Sequence, residues 1–263
     1  DYKNYGDKDR LRKVYYPLLS FHRWLKNYHR WKDGSYWSSG WGCGMDNLPR
    51  CDLELIPDSE DWQLESFHHS YMSWIDATLQ AAMSCEYLIM MAEELGISDD
   101  VDALKDEYEK LVKFVNEKMW SDRDEFYYDL KSDGSFLEVK TAASFWALIS
   151  KIAPPERVDA LCRHLEDKNE FNRPNRVPAL SADHPDYKDN GGYLNGGGLA
   201  STNYMVLCGL SANGKEKLAK DIAECCYENA MEVYRKTGTF WENYAPETAS
   251  PGEPARKDFI GWT

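Results

Sequence analysis

Residues 71–119, YMSWIDATLQAAMSCEYLIMMAEELGISDDVDALKDEYEKLVKFVNEKM, carry two apolar stripes at helical spacing. In the first, Tyr71, Trp74, Ile75, Thr78, Ala82, Cys85, Leu88, Ala92 and Leu95 recur at steps of three and four, which predicts a helix from about Phe67 to Leu95. Gly96 supplies the C-terminal stop. In the second, Val101, Leu104, Tyr108, Leu111, Val115 and Met119 form the stripe. Asp99 and Asp100 stand in the predicted first turn, where negative charge suits the helix dipole. Three residues, Gly96–Ser98, separate the two predicted helices, so they read as an antiparallel hairpin.

The pattern repeats outward. Leu11–Tyr28 reads as a helix. After the hairpin, Glu125–Leu130 is β-like and turns at Ser132-Asp133-Gly134. A helix is predicted over Thr141–Ile152, and Pro154-Pro155 breaks it and starts another, with Val158, Leu161, Cys162 and Leu165 on its buried side. A polar loop over 169–198 follows, unusually long for a connection without a function. Helices resume over Leu199–Leu210 and Lys215–Lys236. Helical hairpins joined alternately by short and long loops fit an all-α fold in which hairpins stand around an axis. An ordinary orthogonal bundle has the same periodicity. No linker divides the 263 residues, so they read as one domain.

Composition narrows the function. The net charge of −14 disfavours nucleic acid, whose affinity comes from Lys and Arg on phosphates. Apolar runs fall short of the ~20 residues of a membrane span. No apolar segment opens the chain, so either the protein stays where it is made or its front end has been removed; the compartment is not legible. Ten Trp on an acidic chain lean towards stacking on neutral sugar rings. Seven Cys cannot all pair within the chain, and no CxxC occurs.

Two loops carry candidate chemistry. Trp37-Ser-Ser-Gly-Trp41-Gly-Cys-Gly-Met45-Asp46-Asn47-Leu-Pro-Arg50 surrounds one carboxyl with Trp, Met and Gly. Apolar surroundings raise a carboxyl pKa and keep it protonated, as a general acid requires. An Asx-turn or helix cap is the commoner job for such an Asp. Phe240-Trp241-Glu242-Asn-Tyr244 sets a second carboxyl between aromatics just past a helix end. Glycosidic cleavage uses two such groups. Other constellations fail on spacing. His68-His69 lacks a third metal ligand, Asp183–Asp189 matches no calcium loop, and Gly191–Gly198 lacks the ending of a phosphate loop. Neither a metal nor a cofactor is expected.

Ser39–Arg50, SGWGCGMDNLPR, resembles the SGMDNSPR-type signature of glycoside hydrolase family 63 and the related mannosylglycerate and glucosylglycerate hydrolases, and trehalases carry a cousin of it. WENYAPETASPGEPARKDFIGWT resembles the family's late motif. Tyr71–Asp76, MAEELG and NGGGLASTNYMVLCGL resemble the segments between. The resemblance implies an (α/α)6 toroid and an inverting, exo-acting hydrolase of an α-linked gluco- or manno-configured saccharide. Asp46 would be its general acid and Glu242 its general base. Trp37, Trp41, Trp74 and Trp241 are then candidates for the sugar platform, with Tyr244 beside them. Asn47, Arg50, Asp76, Gln80 and Asn203 are candidates for hydroxyl contacts. Where relatives read Trp-Arg-Gly, this chain reads Gly191-Gly-Tyr193-Leu-Asn195-Gly-Gly-Gly198, which argues against copying a relative's substrate. A complete toroid takes about 350–400 residues, at ~25–35 per helix with its loop. Residues 1–263 therefore read as a toroid without its upstream hairpins and final helix, whose missing part is a partner beside the saccharide. The rivals are a non-catalytic sugar-binding helical domain, and a polysaccharide lyase or epimerase on a similar toroid.

Overall fold

The computed structural model describes residues 2–51 and 68–259. After a single turn, α1 (Tyr2–Tyr5), comes α2 (Lys8–Tyr28), capped by the Asp7 carboxylate, which accepts from the Asp9 and Arg10 N–H groups. A short α3 (Gly40–Cys43) precedes the central hairpin of α4 (Ile75–Leu95) and α5 (Val101–Lys118). Two small antiparallel hairpins follow. Strand β1 (Trp120–Ser121) pairs with β2 (Phe126–Tyr127), and β3 (Asp129–Leu130) pairs with β4 (Phe136–Leu137). A 3-10 turn over Ala142–Phe145 runs into α6 (Trp146–Ile149). Then come α7 (Pro155–Glu166), α8 (Ala200–Ala212) and α9 (Glu216–Thr237).

Helix α4 holds the structure together because it is apolar on more than one side. It packs on α2, α5 and α6, and α8 packs between α6 and α9. Ile75, Leu79 and Ala82 join Leu111, Val115, Phe126, Phe145, Leu148, Val206 and Ile222 in the main core. Cys85, Leu88 and Ala92 face Tyr15, Leu19 and Leu104 in a second. Burying a Leu- or Phe-sized side chain contributes about 1.5–3 kcal/mol, so these two faces carry most of the stability. Gly96, at φ 68°, ends α4 in the left-handed conformation that glycine adopts without strain, and the Ile97 N–H closes back on the Ala92 carbonyl at 2.9 Å.

Three expectations need correction. Helix α4 begins at Ile75, because Ser70 and Tyr71 take positive φ (51° and 53°) and Ser73 is bridged to Leu130. Tyr71 is exposed and outside the helix. Phe67, its expected start, lies outside the described residues. The β-like stretch is split at Tyr128 between two hairpins. Thr141–Ile152 is a 3-10 turn and one α-turn rather than a continuous helix, since Ala142 donates to Ala179 across the chain and the segment is buried on all sides. No described helix is long and apolar enough to cross a membrane. All seven cysteines are free.

Candidate active site

The acid loop is built from its ends inward. The Ser39 hydroxyl caps α3 by accepting from the Gly42 N–H at 3.1 Å, and Gly44 ends that turn at φ 70°. Met45 and Leu48 then bury their side chains, which leaves Asp46 and Asn47 on the wall of a cavity of about 630 Å³. Arg50 pins the far end. Its guanidinium donates twice to Asp129 at 2.9 Å and twice to Asp76 at 3.0 Å, and lies 4.7 Å over the Trp74 ring. All three charged residues are at most 4% exposed. Asp129 also accepts the Ile75 N–H at 2.8 Å, so the cluster ties the acid loop to the start of α4 and to β3.

Asn47 clamps the loop opposite. Its amide donates to the Gly192 carbonyl at 2.8 Å and accepts from the Leu194 N–H at 3.0 Å. Between those anchors Tyr193 sits at φ 59°, and its carbonyl accepts from the Gly197 N–H at 3.0 Å. A Cβ at position 197 would stand 2.0 Å from that carbonyl oxygen, so only glycine allows the turn. Gly198 then pairs with Tyr244, bringing the second carboxyl loop alongside. The buried amide of Asn243 fills the gap so tightly that a Cβ on Gly252 would lie 1.7 Å from its oxygen. Glu242 is held by the neighbouring strand-like segment. Its N–H donates to the Arg256 carbonyl at 3.1 Å, and its carboxylate accepts the Arg256 N–H at 3.3 Å.

These anchors converge on one hydroxyl. Tyr193 Oη is 3.5 Å from Asp46 Oδ2 and 3.4 Å from Glu242 Oε1. One O–H proton serves only one acceptor at a time, so the hydroxyl is shared. Burial pushes the Asp46 carboxyl pKa up; the Tyr193 hydrogen bond acts against that shift and the nearby Glu242 charge adds to it. Burial, then the two carboxylates, pushes the Tyr193 phenol well above its usual range. The site thus sets a carboxyl that favours its proton and a second carboxyl at one neutral donor.

A family model described as mannosylglycerate hydrolase MGH1-like glycoside hydrolase domain matches residues 2–263. The chain belongs to this family. An uncharacterized protein of Borreliella burgdorferi is 26% identical over 95% of the chain and 50% of its own length. A probable mannosyl-oligosaccharide glucosidase of Schizosaccharomyces pombe is 25% identical over 89% of the chain and 29% of its own length. The chain therefore spans half or less of the length of these curated relatives. Among solved structures, the family 63 mannosylglycerate hydrolase of Thermus thermophilus matches 93% of the chain and 67% of its own, at TM-score 0.75 and 21% identity. Neutral trehalase of Saccharomyces cerevisiae matches 72% of the chain and 37% of its own, at TM-score 0.60 and 16% identity. The fold is that of the (α/α)6 toroid glycosidases.

In this MGH1-like domain the expected site residues are distributed unevenly. Asp46, Asn47, Arg50 and Trp74 line the cavity, and Glu242 reaches it through Tyr193. Asp76 stands behind Arg50. Trp241 and Tyr244 flank Glu242, with the Tyr244 hydroxyl accepting the Trp241 N–H at 3.3 Å. Asn47 and Arg50 spend their polar atoms on protein groups rather than presenting them to a ligand. Trp37 stacks on His29 at 4.1 Å and meets His69 edge-on, while Trp41 is exposed. Gln80 is exposed on α4, and Asn203 is buried in α8 with its amide 3.1 Å from Cys226 Sγ. None of these last four lines the cavity. Elsewhere His22, Cys85 and Glu107 bring ligand atoms within 4.8 Å of one another, but Glu107 is already taken by Lys26 and Tyr36. Sequence reasoning missed Tyr193 and Asp129 as working parts. Tyr193 stood in view in the glycine run, without a periodicity to say where it points.

Proposed function

We propose that the chain carries the catalytic centre of an inverting, exo-acting glycoside hydrolase that cleaves an α-linked gluco- or manno-configured saccharide. The single observation that carries the reading is the Tyr193 hydroxyl within 3.5 Å of carboxyl oxygens of both Asp46 and Glu242, at the wall of the cavity. Shared contact caps the separation of those two oxygens at about 7 Å, a ceiling that admits both retaining pairs at roughly 5–5.5 Å and the lower end of the roughly 6.5–9.5 Å of inverting pairs, so the inverting assignment rests on the family resemblance. A cavity of this size fits one or two sugar rings, in keeping with action at a chain end. The names of the relatives, mannosylglycerate hydrolase and mannosyl-oligosaccharide glucosidase, support the sugar class.

In this mechanism Asp46, whose affinity for its proton burial raises, gives that proton to the glycosidic oxygen as the C–O bond breaks. Glu242 takes a proton from a water on the opposite face of the ring, and that water's oxygen bonds to the anomeric carbon. One water is consumed, and Asp46 ends ionised with Glu242 protonated until solvent resets them. The Tyr193 hydroxyl donates to whichever carboxylate carries the charge. Residues 1–263 act as part of one catalytic domain, whose partners are the saccharide and the remainder of its own ring. The test is proton NMR of the first anomer released from α-linked glucosides and mannosides. β-Anomer first is expected; α-anomer first removes the inverting assignment, and unchanged turnover by Asp46→Asn and Glu242→Gln removes the pair.

A further inference from the structure

A ligand rich in hydroxyls needs donors as well as acceptors around it. An ionised carboxylate only accepts, so a sugar hydroxyl that gives its proton to one still wants a donor at its own oxygen. On the cavity wall most side-chain donors are committed to the protein. Arg50 gives its guanidinium to Asp76 and Asp129, Asn47 donates to the Gly192 carbonyl, and the Trp74 indole N–H donates to the His69 carbonyl at 3.1 Å. The Tyr193 hydroxyl is shared between Asp46 and Glu242. His68 differs. It lines the same cavity, partly buried, and its imidazole Nδ1 accepts the Ser70 N–H at 2.9 Å. That nitrogen carries no proton, so the proton of the neutral ring is on Nε2. Nε2 lies on the ring edge turned away from the main chain. It has no protein partner among the described residues and is not buried.

The turn that presents His68 is tied down from several sides. Ser70 and Tyr71 both take positive φ, at 51° and 53°, which is costly for residues with a Cβ and persists only where the surroundings enforce it. The His69 carbonyl accepts the Met72 N–H at 3.1 Å as well as the Trp74 indole, and His69 Nδ1 accepts the Tyr71 N–H at 2.9 Å. Trp37, Trp31 and Tyr71 meet the His69 ring edge-on at 4.8, 5.4 and 4.8 Å. The Trp31 indole then donates to the Met72 carbonyl at 2.8 Å. Trp37 stands outside the cavity lining, yet it packs the turn on which His68 is mounted.

We propose that His68 is a sugar-contacting residue, whose Nε2–H donates to a hydroxyl oxygen of the saccharide bound in the cavity. The identity of that ligand rests on the hydrolase reading above. A donor fixed before the sugar arrives costs little ordering on binding. The contact is made to a hydroxyl away from the reacting bond, so it holds substrate and transition state alike. Its loss therefore falls on KM and leaves kcat nearly untouched.

Two variants of the full-length protein separate this role from a structural one. His68→Asn keeps an acceptor near the Ser70 N–H, as in an Asx-turn, and removes the far donor. His68→Gln loses the near acceptor and keeps an amide N–H about where Nε2 stood. The probes are α-mannosylglycerate, α-glucosylglycerate and versions of each lacking one ring hydroxyl. His68→Asn is expected to raise KM about five- to tenfold, with kcat within about twofold and an unchanged melting temperature, and His68→Gln to stay within about threefold of the wild type. The sugar that lacks the contacted hydroxyl should be equally poor for wild type and His68→Asn, while the others keep the full difference. An unchanged KM in His68→Asn overturns the proposal. So does a difference that persists with every deoxy sugar, or a His68→Gln variant that binds worse and melts lower than His68→Asn. Hydrolysis of none of the probes counts against the hydrolase reading. Calorimetry of the same sugars on the same variants then decides His68 by itself: weaker binding by His68→Asn that vanishes for one deoxy sugar supports it, and equal binding, or none, overturns it.

Discussion

Two groups of acidic residues lie on either side of the Asn47 turn, and they are treated in opposite ways. Asp76 and Asp129 are almost wholly buried and surround Arg50 with four hydrogen bonds of 2.9–3.0 Å. Asp46 and Glu242 are only partly buried and share one neutral phenol at 3.4–3.5 Å. The first group has its charge matched by a fixed cation and holds three chain segments in register. In the second the two carboxyls meet at that neutral phenol, and burial raises the affinity of Asp46 for its proton. A carboxylate with a saturated counter-ion is scaffold, whereas a carboxyl left close to its point of proton exchange is able to do chemistry. The two functions need different neighbours, and the short run from Asp46 to Arg50 contributes to both.

The largest expected effect separates the two groups by activity. Asp46→Asn and Glu242→Gln should each lower turnover by roughly three orders of magnitude while the melting temperature barely moves. A large fall in melting temperature on either would break the comparison by making these residues scaffold. Arg50→Met should do the reverse. It strands two buried carboxylates, at a cost of about 3–5 kcal/mol, and thermal melting should fall by roughly 10 °C. Asn47→Ala stands between them. It frees the Gly192–Leu194 backbone and so displaces Tyr193, and kcat should fall about tenfold with a stability loss near 1–2 kcal/mol.

Tyr193→Phe has the smallest effect and sharpens the contrast most. The Tyr193 hydrogen bond lowers the Asp46 pKa against the larger, opposite effect of burial. Removing the hydroxyl therefore lets the pKa rise. In the proposed mechanism activity needs Asp46 protonated and is lost as pH climbs through that pKa, so the alkaline limb of the kcat/KM profile should move to higher pH. A limb that stays in place, or moves down, would mean that another group sets it.

The central hairpin was legible because its stripes are long and Gly96 marks the end of α4; the Asp99-Asp100 pair misplaced the next start, since α5 begins at Val101 and Asp100, at φ 67°, precedes it without a side-chain cap. The start of α4 was not, since nothing local announces that Ser70 and Tyr71 take positive φ or that Ser73 pairs with Leu130, 57 positions on. Asp46 and Glu242 stood out because each sits in a distinctive loop and the pair matched one family. Tyr193 was hidden for a physical reason. Its position depends on Asn47, 145 residues away from the carbonyl it grips, and on the contact between Gly198 and Tyr244. Trp37 shows the converse: sequence made it a platform for sugar, while its ring is engaged with His29. Asp129 sat inside a β-like stretch and read as one more strand residue.

The Asn47 clamp also bears on time. It joins positions separated by 145 and 147 residues, and the Arg50 pairs span 26 and 79. Contacts of long separation wait on the closure of everything between them, so they form late and slowly. During synthesis the helical hairpin is able to settle soon after Lys118 is made, but the two carboxyl loops meet only once Glu242 and Arg256 have emerged. On the proposed reading, activity should therefore lag behind helix formation in any refolding experiment, with a folded core in place before the paired carboxyls are.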